Sequence, residues 1–495
     1  MSQLPLQRRA RRAIVRFQAR LEAGPGDRWI PVLIGFGLAA FAVWAAVSRI
    51  DGLETDVDLA GYSQTLWLLT EGNVPRPSLF GTDVHLLELR WSFIMYPLAL
   101  VATVVSPPRL LAVSQGLALG LAVFPLWRLA REVAKLRIGA ASALCLAYAL
   151  HPATHGIAVE DFHPVALAIP AIIGAAYFGA TKRWVWYWIC IAFALLCRAD
   201  LGLALGLWGF VLLGDGERRA GLWTMGVGFI WSLGLLLVAQ PLIGQAGIPD
   251  ARNGYNGQTL GDVTLTSLRD PVAALQALLT QDNLLLVIAL LTPVIFLPLL
   301  SLRHLLPAVP LAGLLMLSGP LEGPFAERSS MLLAFVMIAA AHALNRLGNM
   351  GVDRVFLDVR LLTTLASAAV LLFVASSPTS PYERPWDWAE QDSVDRAVVR
   401  AVNLVEDDIP IRASPSALAL LSDRPWLYSL ADDRPPSAVN MGFPDFIRAV
   451  LVVEREIPER TEVERQQFAE GMIDLQGFEL RYEDRADGVA LYVRD

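Results

Sequence analysis

Cysteine is scarce in this 495-residue chain. Its three cysteines, Cys145, Cys190 and Cys197, lie in apolar runs and form no C-x-x-C pair or zinc-type spacing. That excludes a thiolate metal cluster and a disulfide framework, and leaves small buried residues. Charge is also sparse: 18% of residues are charged and 55% are hydrophobic, with a mean hydropathy of +0.48. Soluble globular chains carry about 25% charged residues, so that class is excluded. No A-x-A cleavage pattern follows the basic start (Arg8, Arg9, Arg11, Arg12, Arg16, Arg20), so the first apolar run reads as an uncleaved anchor. Lysine is missing from residues 378–495, where 13 Arg stand against 24 Asp and Glu. That tail is near −11 and the remainder near +4, against −7 overall. The balance gives no basic surface of the kind a nucleic-acid partner needs. No internal repeat is visible.

What is present is a series of apolar runs, many approaching the ~20 residues that cross a bilayer. The sequence therefore predicts an all-α polytopic membrane protein with a lipid bilayer as its partner. The basic start places the N-terminus in the cytoplasm by the positive-inside rule. The first span is expected at Trp29–Ser48. Within the polar stretch that follows, Leu59–Leu69 has helical spacing and predicts a short helix lying on the membrane surface. Trp91–Val105 is about 15 residues long, short for a span. Keeping it in the interface leaves Arg128, Arg131, Lys135 and Arg137 inside, as their charge prefers.

Spans then follow at 110–129, 138–157 and 165–180. Trp184–Leu213 is too long for one span and is interrupted by Arg198 and Asp200, which predicts two short spans meeting at the external surface. Further spans are expected at 222–243, 284–300, 305–317, 330–344 and 361–375. The total is about eleven, with juxtamembrane helices in addition. The expected organisation is a basic cytoplasmic N-terminus (1–28), a multi-span domain (29–376) with a large first external loop (49–91), and an extracytoplasmic domain (377–495). The expected location is the cytoplasmic membrane, multi-pass, with the tail outside. Ser-Ser-Pro-Thr-Ser-Pro (376–381) reads as the linker. Asp392–Val405 reads as an amphipathic helix, Arg448–Val453 as a strand, and Phe478–Arg485 with Val489–Arg494 as a hairpin, giving a small α/β fold.

Three clusters of ionisable residues stand at span ends, and the threading puts all three on the external side. The first loop carries Asp56, Asp58, His85 and Arg90. A carboxylate just beyond the first span can serve as general base toward an acceptor hydroxyl or as a metal ligand. The alternatives are a solvated loop and, for Asp58, an N-cap. The second cluster is Glu160-Asp161-Phe162-His163-Pro164, downstream of His151-Pro-x-x-His155. Glu160, Asp161 and His163 are candidate ligands for a divalent metal ion. Helix capping, or a substrate or phosphate contact by Asp161 and His163, are the other readings. The third is Arg198-Ala199-Asp200, either a local ion pair or a phosphate site, for which a guanidinium is suited. Arg328 and Arg90 supply further external arginines. Arginines, acids and an apolar groove together suit transfer of a sugar from a lipid phosphate.

The same residues resemble a family. Asp58-Leu-Ala-Gly-Tyr-Ser-Gln-Thr-Leu-Trp is similar to the F-D-L-G-x-x-x-Q-x-x-W segment of an uncharacterised family of prokaryotic membrane proteins. Asp161-Phe-His-Pro-Val-Ala-Leu-Ala resembles its D-F-H-P-E-A-L-A, and Cys197-Arg-Ala-Asp-Leu-Gly-Leu its V-K-E-D-L-A-L. The segment from Ile411-Arg-Ala-Ser to Leu420-Leu-Ser-Asp-Arg resembles another of its motifs. Val165 replaces the family's Glu after His-Pro, and Ala199 replaces an acid. That family resembles a branch of the GT-C glycosyltransferases. The resemblance implies a multi-span enzyme using polyprenyl-phosphate sugars at the outer face. It also implies an acidic base in the first external loop, mapping onto Asp58 with Asp56 second.

The leading expectation is thus an integral membrane glycosyltransferase moving a sugar from a lipid-linked donor to an envelope glycan, lipid or protein. Two alternatives stand beside it: a transporter or flippase for a lipid-linked precursor, and a non-catalytic scaffold whose outer domain binds a partner.

Overall fold

The computed structural model describes residues 24–80, 85–89, 91–235, 238, 269–317, 329–350, 354–430, 446–456 and 477–494. The basic start, Arg90 and Arg328 lie outside the described residues. The chain forms two compact units, each discontinuous in sequence. One comprises Met1–Val43, Gln115–Val159 and His163–Glu383; the other comprises Trp44–Ser114, Glu160–Phe162 and Arg384–Asp495.

The first unit is helical and apolar. Among the described residues, five helices are long and apolar enough to cross a membrane: Gly26–Asp51, Pro107–Val133, Leu297–Leu317, Ser330–Leu347 and Val359–Asp387. Pro271–Leu278 and Gln281–Val294 form a further candidate bent by 53°. Ile138–Ala149, Pro164–Ala180, Trp184–Cys197 and Leu201–Gly214 are shorter apolar helices. Helices stand at the predicted spans that are described, but the run 138–157 is divided between Ile138–Ala149 and Pro152–Val159, and the run 284–300 is interrupted at left-handed Ile295 and Phe296. The run 222–243 is helical from Arg218 to Gly234, with most of its remainder outside the described residues. Large apolar side chains remain exposed on the helices, with Phe36 73%, Ile230 76% and Leu371 67% accessible. Exposed apolar faces of that extent belong against lipid rather than water.

The long run 184–213 breaks as its charges predict. Trp184–Cys197 ends at Arg198, whose backbone is extended (φ −155°, ψ 142°), and Leu201–Gly214 begins three residues later. Leu201–Gly214 then packs against Arg218–Gly234 at unusually close range. A methyl group added at Gly202 would lie 2.6 Å from the Gly228 carbonyl oxygen, and one at Gly209 2.6 Å from that of Gly221. Small residues on facing helices let backbones approach in this way, which recovers dispersion energy that lipid-like side chains alone do not supply. Between Trp91 and Val105 only Met95–Ala102 is α-helical, eight residues and too short to cross.

The second unit is built on a five-stranded mixed sheet. Its strands are β1 (Ile411–Ala413), β2 (Leu427–Ser429), β3 (Ala449–Val453), β4 (Glu479–Asp484) and β5 (Val489–Val493), in spatial order β2-β1-β3-β5-β4. β1 pairs in parallel with β2 and β3; β5 pairs antiparallel with β3 and β4, so the expected hairpin forms. β3 is buried on both faces. Ala449, Leu451 and Val453 face one core, Val450 and Val452 the other. The helix Ser393–Val402 lays Ala397, Val398 and Ala401 on the first core. That spacing makes one apolar stripe. Asp392 and Asp395 close its N-terminus as a capping box.

Leu53, Ala60 and Leu79 from the first loop enter the same core. The tail therefore does not complete its core alone: residues 44–114 are part of the same unit. The contact is closest at Gly52, where an added methyl would stand 1.8 Å from the Trp388 carbonyl oxygen. A backbone oxygen cannot rotate away, so Gly52→Ala is expected to cost about 1–3 kcal/mol through overpacking. A fall in the thermal midpoint of the purified protein would register it, and an unchanged midpoint would contradict the packing described.

Candidate functional site

The site grows from the start of the helix Val57–Thr70 in the second unit. Asp56 is its N-cap, with extended backbone (φ −117°, ψ −171°) and a side chain that accepts from the Val57 amide at 2.7 Å. Asp58, for which the sequence allowed a capping role, instead lies in the first turn and is half-buried. A helix N-terminus leaves four amides without partners and favours negative charge beside them. Asp161 supplies that charge from 102 residues further along. Its carboxylate accepts from the Leu59 amide at 2.8 Å and from the Asp56 amide at 3.0 and 3.2 Å.

The neighbours of Asp161 explain the rest of its motif. Phe162 packs edge-on against Tyr62 at 5.4 Å, and Tyr62 against Phe80 at 5.3 Å. In the first unit, His163 donates its backbone N–H to Gln115 Oε1 at 2.8 Å. Gln115 Nε2 donates onward to the Ile157 carbonyl. Pro164 occupies the first position of Pro164–Ala180, where its missing N–H and fixed φ suit a helix start. Asp-Phe-His-Pro is thus a cap, an aromatic wedge, a backbone tether and a helix initiator in sequence.

The helix body is fixed by Gln64, which is fully buried. Its amide donates to Ser78 Oγ at 3.0 Å and to the Arg424 and Pro425 carbonyls at 3.0 and 3.3 Å. Its Oε1 accepts from the Leu79 amide at 3.3 Å. Ser78 Oγ is shared with the backbone of Leu427 at 2.7 and 2.8 Å. The Arg424 side chain is itself buried, donating to the Leu421, Glu406 and Ile409 carbonyls. The tail motif ending in Ser-Asp-Arg therefore holds the loop that receives Gln64.

The acids are electrostatically coupled. Burial pushes the Asp161 carboxyl above its ordinary range, against the Leu59 and Asp56 amide bonds that favour the charge; Asp58 adds to the rise and Arg49 opposes it. Glu54 is likewise pushed up by burial, with Arg49 opposing and Asp395 adding. Arg49 donates to the Glu54 carbonyl and stands 3.8 Å from its carboxylate. A carboxyl raised by folding retains its proton longer in the folded state. Its stabilising contribution is thus full below the unfolded value near 3.8 and is lost as pH rises through the raised folded value. The midpoint of the native protein relative to Asp161→Asn is expected to fall as pH is raised from about 3.5 toward neutrality. A difference that stays flat over that range would remove the coupling.

Of the residues singled out from the sequence, Asp56, Asp58 and Asp161 come together. Glu160 is half-buried beside Asp161 in the chain. His85 accepts from the Leu87 amide through Nδ1 at 3.1 Å. In the first unit, Arg198 and Asp200 form a two-point ion pair, with Nε–Oδ1 3.0 Å and Nη2–Oδ2 2.5 Å. His163 is buried. His151 and His155 are held by backbone and hydroxyl partners: Nε2 of His151 meets the Leu290 carbonyl and Nδ1 accepts from Ala153, while His155 meets the Ala149 carbonyl and Thr379. Among the described residues no group of three His, Cys, Asp or Glu is arranged to hold a metal ion. Read from sequence, Arg49 has no role, and Gln64 only a place in the Q-x-x-W segment. Arg49 carries a usable signal, a lone cation in the last turn of the first span. The role of Gln64, as distinct from its place in the motif, is recognisable only once its partners are placed.

The fold is that of a polytopic helical membrane protein with a small five-stranded sheet built from its C-terminal part. Crystal structures of ArnT from Cupriavidus metallidurans share it at 13% identity. The form bound to undecaprenyl phosphate matches with a TM-score of 0.55, covering 93% of this chain and 97% of that one. The apo form matches with 0.53, covering 95% and 98%. The chain belongs to the DUF2079 family of predicted membrane proteins, whose model matches residues 49–485. None of the curated proteins matches it.

Proposed function

We propose that this protein is a membrane glycosyltransferase that moves a sugar from a polyprenyl-phosphate donor to a cell-envelope acceptor at the outer face of the cytoplasmic membrane. The observation that carries this reading is the capped acidic helix start just beyond the first span, on a fold shared with a protein whose structure holds undecaprenyl phosphate. Asp58 takes the proton of the acceptor hydroxyl. The hydroxyl oxygen bonds to the anomeric carbon as the bond from that carbon to the phosphate oxygen breaks, and polyprenyl phosphate leaves with the electron pair. Asp161 positions the loop rather than meeting substrate, because its oxygens are engaged by amides. Arg49 is the cation beside the acids, and Arg198, with Arg328 or Arg90, holds the donor phosphate.

The test is transfer of a labelled sugar. Purified protein is supplied with polyprenyl-phosphate sugars and envelope extract, and label is expected in the acceptor fraction. Label confined to the donor for every sugar tried would overturn the reading. A second reading, translocation of a lipid-linked precursor, draws on the broken span at Arg198 and the 53° bend after Leu278, since discontinuous helices serve transporters. It requires donor lipid to change leaflets in vesicles without sugar transfer.

A further inference from the structure

The second unit contains a cavity of about 600 Å³ whose lining includes none of Asp56, Asp58 or Asp161. That volume falls within the ~300–1,000 Å³ of small-molecule sites. One wall, Ile50 to Leu53, ends the first bilayer-long helix and leads into the first loop; another, Pro107 to Arg109, begins the second such helix. The cavity therefore stands where membrane-spanning helices end, and segments of the tail complete it.

Its chemistry is mixed. Asp51 and Asp423 outnumber Arg109, the one cation among the described lining residues, so a phosphate or another anion is disfavoured. Arg109 meets Asp51 only at 3.4 Å, which leaves most of its donors unspent. Gln391 donates to the Asp51 carbonyl at 2.7 Å, which fixes that side chain. Asp423 is exposed and lies within electrostatic reach of Arg424, and its carboxylate accepts no hydrogen bond among the described residues. Beside these groups lie Pro107, Val399 and Leu420, apolar surfaces without hydrogen-bonding side chains. A ligand that satisfies this wall offers several hydroxyls that both donate and accept, carries no negative charge, and has a C–H face to lay on proline and leucine.

We infer that this cavity binds a hydroxyl-rich, uncharged or amino saccharide unit, free or as the headgroup of a glycolipid. Its role as acceptor site rests on the transfer reading; the binding itself does not.

Full-length protein in nanodiscs is presented to immobilised neutral, amino and uronic-acid oligosaccharides. Separately it is presented to phosphatidylethanolamine–phosphatidylglycerol vesicles with and without digalactosyl diacylglycerol. Neutral or amino saccharides are expected to bind, and uronic acids to bind more weakly. Binding only to the free sugars, or only to the glycolipid vesicles, assigns the source. Leu420→Trp fills the cavity and Asp423→Ala removes a charged acceptor from an exposed position. Each is expected to weaken binding about tenfold. Asp58→Asn is expected to leave binding intact while transfer is lost, which separates this inference from the catalytic one. Saccharides that fail to bind, binding unchanged in both cavity variants, or binding to plain phospholipid vesicles alone would overturn it.

Discussion

Asp58→Asn is expected to slow sugar transfer by roughly 10²–10⁴-fold, the usual contribution of a positioned general base. The substitution keeps the shape of the side chain and removes its capacity to hold a proton. It is not expected to unfold the protein, because the cap of Val57–Thr70 is Asp56 and the distant acceptor is Asp161. Loss of one charge from a first turn costs about 0.3–1 kcal/mol. That is partly offset here by relief of the repulsion between Asp58 and Asp161. Asp56→Asn provides the contrast, since Asn caps helices about as well as Asp and leaves Asp58 in place. Turnover at saturating donor, measured beside thermal midpoints, distinguishes the two positions. If Asp58→Asn turns over within a few-fold of the native protein, Asp58 is not the base. If Asp56→Asn is the slower enzyme, the roles are reversed.

The largest effect on stability is expected at Gln64. Gln64→Leu preserves volume but leaves the Leu79 amide and the Arg424 and Pro425 carbonyls without their side-chain partner in a buried setting. Each buried polar group left unsatisfied costs about 1–3 kcal/mol, so a total of roughly 2–5 kcal/mol is anticipated. Gln64→Glu is predicted to be no better, because a carboxylate cannot donate to those carbonyls. Thermal unfolding followed by intrinsic fluorescence would show the drop. A midpoint within a degree of the native value would mean that the buried amide does not tie the helix to the loop at Arg424.

The contrast between Asp58 and Gln64 shows what the sequence carries on its surface. Patterns that act over a few residues are readable. The charges at Arg198 and Asp200 mark the break between two short helices, and Ala486-Asp487-Gly488 marks the turn between β4 and β5. The length of Trp91–Val105 identifies a segment that does not cross. Partners brought from far along the chain are not readable. Asp161 caps a helix 102 residues away, and Gln64 meets a carbonyl 360 residues away. No periodicity encodes either pairing, so Asp161 reads from sequence as a metal ligand, a helix cap or a substrate contact, and Gln64 only as the Gln of the Q-x-x-W segment. The cap is Asp56, while the sequence allowed that role to Asp58 only as an alternative to the base. Either acid satisfies the local preference; in the structure Asp56 caps and the Asp161 carboxylate accepts from the Asp56 and Leu59 amides.

The interleaving of the two units carries a consequence for biosynthesis. Three loop residues that enter the core of the sheet unit, Leu53, Ala60 and Leu79, are translated before the strands that cover them. About 270 residues separate Ser114 from Arg384; at ~5–20 residues per second the ribosome needs roughly 15–50 s to traverse them. Throughout that interval the early segment waits with apolar surface uncovered while later helices enter the bilayer. Expression of residues 384–495 alone would yield a sheet lacking those three side chains, and a chain stopped at Glu383 would strand them in water. Supplying the missing piece in trans is therefore the route by which severed halves of this chain would regain a folded state.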